Sequence, residues 1–84
     1  MRYIVRVREK HKGFPDWWPD QPFAPGSFGT GLRKAVEFAR STVKESAPHL
    51  MLQAEVIEAA GKKETIKYRC RIDEHGQFVE DRVV

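Results

Sequence analysis

Two sets of residues in this chain have the chemistry to hold a partner. The first is basic: Arg6 and Arg8 near the start, then Lys67, Arg69 and Arg71. A guanidinium is planar and always charged, and it donates two parallel N–H bonds to one carboxylate or phosphate. Arginines at every second position of a strand make a row of such forks on one face. The second set is aromatic: Trp17, Trp18 and Phe23, within the segment FPDWWPDQPF. Tryptophan offers a large contact area at small entropic cost and anchors many interfaces. Two adjacent tryptophans on an extended segment point in opposite directions, so one can enter the core while the other stays available. Each set also has a plainer reading. The basic rows can be a solvated face neutralised by cross-strand ion pairs, and the aromatics can form a lid over the open end of the core.

The other chemistry-bearing residues fall short of a site. His11, His49 and His75 have no metal-ligand spacing. Cys70 is alone, which excludes an internal disulfide and any multi-cysteine zinc site, and its place among apolar neighbours reads as core. GSFGTG at 26–31 opens a helix as a phosphate loop would, but lacks the lysine and serine of that motif. Asp16 and Asp20 have no evident neighbour to shift their protonation. No catalytic constellation emerges, so no catalytic residue, metal or cofactor is expected, and an enzyme is not the expected class.

The elements that must position these residues are legible from periodicity. RYIVRVRE at 2–9 alternates, with Tyr3, Val5 and Val7 on one face and Arg2, Ile4, Arg6 and Arg8 on the other, as in a half-buried strand. Residues 11–31 carry four of the five prolines, four of the six glycines and five of the nine aromatics. That density of proline argues against helix or central strand, so a long loop is expected, and loops of this length are usually functional. Residues 31–46 predict a helix: Leu32, Ala35, Val36, Ala39 and Val43 form one stripe, Phe38 sits at its edge, and Thr30 or Ser27 caps the start. Pro48 stops it. A strand is expected over 50–59, a turn at 60–63, and a second alternating strand over 64–72. In that strand Ile66, Tyr68, Cys70 and Ile72 are expected inward, with Lys67, Arg69 and Arg71 outward. DEHGQ at 73–77 reads as a turn with Gly76 at positive φ, and 78–84 as a final strand.

The expected fold is therefore α+β, one domain over 1–84, with a single helix on one face of a four-stranded, mostly antiparallel sheet in the order strand, loop, helix, three-strand meander. In a meander the strand at 64–72 cannot touch the first strand, which leaves Glu55, Glu80 or Asp81 to lie between the two basic rows. Eighty-four residues allow only a thin core. The net charge of +3 is mild but unevenly spread: residues 1–12 and 62–72 are each net +4, while 73–84 are net −3. No apolar run is long enough to cross a membrane, the arginine-interrupted start does not read as a signal peptide, and one cysteine suits a reducing compartment, so a cytoplasmic protein is expected.

Three stretches also carry a resemblance: YIVRV at 3–7, KAVEFARS at 34–41 and DEHGQFVED at 73–81. An opening strand, a small-residue helix and a closing hairpin with an acidic-glycine turn resemble the layout of small phage-encoded anti-defence proteins, certain type I anti-CRISPR proteins in particular. The resemblance covers about half of the chain and carries no individual residue role. It implies a non-enzymatic inhibitor that binds a host defence complex and blocks its nucleic-acid path. The residues themselves leave two partners open: a larger host protein assembly, held by the aromatic anchors and the basic face, or nucleic acid on that same face. The loop is acidic and proline-rich, which suits protein contact better than base stacking. A homodimer through the open face or an edge strand is compatible with either.

Overall fold

The computed structural model describes residues 2–9, 21–23, 26, 30–46 and 51–82. Its elements run β1 (Arg2–Glu9), β2 (Gln21–Phe23), α1 (Thr30–Lys44), β3 (Leu52–Ala60), β4 (Lys63–Ile72) and β5 (Phe78–Arg82). The strands form one sheet in the order β2-β1-β3-β4-β5, antiparallel at every pairing. The α+β class and, among the described residues, the single helix are as expected, but the sheet there has five strands rather than four. The additional strand is QPF, inside the segment read as loop. Proline cannot donate to a central ladder, but it is tolerated at an edge. Pro22 occupies such an edge, opposite Ile4 of β1. Gly26, at φ +67°, packs so closely on Thr30 at the start of α1 that a β-carbon there would strike the Thr30 hydroxyl.

The core lies between α1 and one sheet face. Ala35, Ala39 and Val43 of α1 are fully buried, with Leu32 and Val36 packed alongside. Small residues at i, i+4 and i+8 let the helix settle low on the strands. They meet Tyr3, Val5 and Val7 of β1, Leu52, Ala54 and Val56 of β3, and Tyr68, Cys70 and Ile72 of β4. Burying a side chain of Leu52's size contributes about 1.5–3 kcal/mol. Phe38 lies at the rim, 40% exposed, with its ring 5.6 Å from that of Phe23.

Register explains one departure from simple alternation. Val56 pairs with Tyr68, but the next residue, Ile57, pairs with Ile66. Lys67 is thus the additional residue of a β-bulge, and the faces of β4 exchange there. Ile66 was expected inward with Tyr68. It stands instead in line with Ile57 and Ile4, on the face away from the helix. Lys67 was expected in the row of Arg69 and Arg71. Its ammonium lies instead 3.8 Å from Glu58, the register partner of Tyr3.

The β4–β5 turn forms as the sequence predicts. Gly76 takes φ 77°. Asp73 Oδ1 accepts the backbone N–H of His75 and of Gln77, both at 2.9 Å. These bonds, and to a lesser degree the nearby His75 and Arg71, hold the Asp73 carboxyl below its ordinary range. On β5, Phe78 packs toward the core with Lys44 of α1 4.9 Å above its ring. Glu80 accepts from Arg40 of α1 at 2.9 Å and from the Tyr68 hydroxyl at 2.5 Å, which ties the helix to the far edge of the sheet.

Candidate functional site

The face opposite α1 carries the arginines, and the ladder registers arrange it in rows across the strands. The first row is apolar: Ile4, Ile57 and Ile66. Ile4 and Ile57 are only 4% and 2% exposed, so this side of the sheet has a buried patch of its own and is not wet throughout. Arg6 donates to Glu64 at 3.1 Å. Arg6 is level with Glu55, and Glu64 with Ala59, so their bridge runs diagonally across the level of Ile57.

The second row is Arg6, Glu55, Arg69 and Asp81, on β1, β3, β4 and β5. Arg69 Nε donates to Glu55 at 3.1 Å, and the Glu55 side chain is 13% exposed. Two cations and two anions alternate, so the row is neutral. Glu55 and Asp81 take the positions between and beside the arginines that the meander made available. Glu80 takes the other side, with Arg40 and Tyr68.

The third row is Arg8, Gln53, Arg71 and Val79. It holds two cations and no acid. Arg8 donates to Gln53 Oε1 through Nε at 3.2 Å and through a terminal nitrogen at 2.9 Å. Arg71 is exposed and makes no ion pair with a described residue. Beside it lie two shallow hollows. One, of about 360 Å³, is lined by Met51, Gln53, Arg71, Ile72, Asp73, Glu74 and His75. The other, of about 150 Å³, is lined by Gln53, Arg69, Arg71, Val79 and Asp81 among others. Met51, at the entry to β3, holds φ at 48°, in the left-handed region that few non-glycine residues adopt.

The structure thus brings Arg6, Arg8, Arg69 and Arg71 onto one face, with Arg6 and Arg69 bridged to carboxylates, and turns Lys67 toward Glu58. Phe23 is half-buried against the core and meets Phe38 with the two rings tilted at 58°. Trp17 and Trp18, and with them His11, His49, Asp16 and Asp20, lie outside the described residues. Gln53 was not singled out in the sequence, although alternation through β3 places it on the arginine face with Glu55.

Three buried groups elsewhere among the described residues are shifted by their surroundings. Burial pushes the Cys70 thiol up to about 11, with the neighbouring Glu80 carboxylate adding to it. Its S–H points to the Ala39 carbonyl at 3.6 Å. Burial, then the bond to Glu80, also raises the Tyr68 phenol, and burial and Glu58 raise that of Tyr3. Among the described residues, no three His, Cys, Asp or Glu side chains are gathered closely enough to hold a metal ion. Among the same residues, no helix is long and apolar enough to cross a membrane. Comparison with protein-family models, with curated proteins and with solved structures found no match to this chain.

Proposed function

We propose that this protein is a small binding module that docks the arginine end of its open sheet face on an acidic surface of a larger protein assembly and masks that surface. The observation that carries this reading is the contrast between adjacent rows. Arg6, Glu55, Arg69 and Asp81 neutralise one another, whereas in the next row Arg71, beyond Gln53, has no acid of the described residues paired with it. A surface built only for solubility has no reason to set an exposed arginine without an ion pair among the described residues, Arg71, beside two hollows. A nucleic-acid strand needs a longer basic track than this, because its affinity comes from neutralising many phosphates in sequence. The neutral middle row interrupts such a track. The resemblance of YIVRV, KAVEFARS and DEHGQFVED to stretches of anti-CRISPR proteins makes a nucleic-acid-processing defence complex the assembly to test first, with inhibition by occupancy as the mechanism and Trp17 and Trp18 as further anchors.

The test uses the purified protein as bait for host lysate at several salt concentrations, before and after nuclease treatment, with Arg71→Glu in parallel. One assembly, identified by mass spectrometry, is expected to be retained after nuclease treatment and lost with Arg71→Glu. Retention that disappears with nuclease and falls linearly on a log–log plot against salt would assign the face to nucleic acid instead. Equal retention by Arg71→Glu would overturn the docking role of this row.

A further inference from the structure

We infer that Gln53 and Arg71 form a carboxylate-binding site, and that its occupant is a single aspartate or glutamate side chain of the partner protein. The inference rests on the reading of the open face as a docking surface and names what that face grips.

Gln53 sits between two arginines, level with Arg8 on β1 and with Arg71 on β4. An arginine side chain only donates, and a glutamine amide has one accepting and one donating end. The two bonds from Arg8 at 3.2 and 2.9 Å therefore fix the orientation: the oxygen faces Arg8, and the nitrogen, with its two N–H groups, is turned away from it. Its neighbour on the other strand is Arg71, which also offers only N–H groups. Neither the Gln53 amide nitrogen nor the Arg71 guanidinium donates to any described residue. Both line both hollows. Two donor groups side by side without an acceptor between them suit a group with two accepting oxygens.

The surroundings select which group. Asp73 and Glu74 border the larger hollow, and Asp81 borders the smaller. Asp73 commits Oδ1 to the backbone of its own turn. These three carboxylates disfavour a multiply charged phosphate and leave room for one negative charge. A carboxylate brings that single charge and is planar, as the guanidinium fork requires. The partner's acidic residue is best followed by a basic one, to meet Asp73 and Glu74. Discrimination against the uncharged amide follows from the same geometry, since an amide has only one accepting atom to offer two donors.

Side-chain NMR of the full-length protein tests this, with the blocked peptide acetyl-Gly-Glu-Gly-amide as probe. Acetyl-Gly-Gln-Gly-amide and inorganic phosphate serve as controls. Saturating shifts are expected at the Gln53 amide N–H groups and at Arg71 Nε–H, with much smaller ones at Arg69 Nε–H, which is held by Glu55. The glutamine peptide should not saturate, and Arg71→Gln should weaken the response at Gln53 by about tenfold. Gln53→Glu, which places a carboxylate between the two arginines, should abolish the response at Arg71. No shift at Gln53, or equal shifts at Arg69 and Arg71, would overturn the site. A stronger saturating response to phosphate would overturn its assignment to a carboxylate. Retention of an assembly without the Gln53 response would remove this site and leave the docking reading intact. The converse result would keep the site and remove the masking role.

Discussion

Glu55 stands in register between Arg6 on one side and Arg69 on the other, and accepts from Arg69 Nε at 3.1 Å. One carboxylate thus lies between two strands that each bring arginines, and it neutralises part of the charge the face presents outward.

Removing it should separate stability from association. Glu55→Gln is expected to cost about 1–3 kcal/mol, because Arg69 is half exposed but the Glu55 side chain is mostly buried and loses a charge-assisted bond. The same change leaves Arg6, Arg8, Arg69 and Arg71 with less compensation, so the association rate with an acidic partner should rise, most strongly at low salt. Urea denaturation and stopped-flow binding at two ionic strengths check both parts. A large stability loss with an unchanged rate would assign Glu55 to the fold alone.

The tie between α1 and β5 should behave as one unit. Glu80 accepts from both Arg40 and Tyr68, so removing either donor disturbs the other. Tyr68→Phe should cost about 0.5–1.5 kcal/mol. Arg40→Ala combined with Tyr68→Phe should differ from additivity by at least about 0.5 kcal/mol, as neighbours in one network do. A double-mutant cycle by chemical denaturation measures the coupling, and strict additivity would mean that the two bonds act separately.

Cys70 supplies an alkaline limit. Its folded thiol titrates at about 11, above the ordinary value of 9.0. In that window the unfolded chain loses its proton before the folded one does. The stabilisation from the neutral buried thiol is therefore complete below the lower value and is lost as pH rises toward the upper one. Cys70→Ala should flatten the stability profile between them. At neutral pH a thiol reagent should react at a rate set by opening of the structure, much slower than with a free thiol. Immediate stoichiometric labelling of the folded protein would contradict this.

Asp73 acts at the acid end, with the opposite sign. Its folded carboxyl titrates below the ordinary 3.8, so its contribution is present above that value and is lost as pH falls through the folded one. Asp73→Ala removes the acceptor for His75 N–H and Gln77 N–H. Hydrogen exchange at these two amides should accelerate in the variant while amides in the centre of β3 stay protected. Unchanged exchange would show that Gly76 and the backbone bonds hold the turn by themselves.

Most of the architecture was legible because period-two alternation is a local property. Tyr3, Val5 and Val7 against Arg2, Ile4, Arg6 and Arg8 is the arrangement observed. The helical stripe from Leu32 to Val43 and the positive φ at Gly76 were equally local. Two features were not legible. A three-residue edge strand around Pro22 exists only because Ile4 offers it a partner, and a propensity argument reads proline as a break. The bulge at Lys67 is visible only in the pairing with β3, so alternation carried Ile66 to the wrong side. The arginine face could be named from sequence, but its charge could not be apportioned. Which cation meets which carboxylate is set by strand order, and Gln53 gained significance only when Arg8 and Arg71 were found on either side of it.

The bulge has a consequence for the evolution and engineering of the chain. Lys67 works like a half-twist in a ribbon: before it, β4 turns an isoleucine to the outer side, and after it, the same strand turns its arginines there. Deleting that one lysine would make Ile66 and Tyr68 neighbours on a regular ladder opposite Ile57 and Val56, so each would keep its side, and only the kink and the contact with Glu58 would be lost. At this one point the strand tolerates a change of length, because Lys67 has no partner across the ladder. Substitution and single-codon deletion at position 67 should therefore both be absorbed, whereas deleting Ile66 or Tyr68 should not.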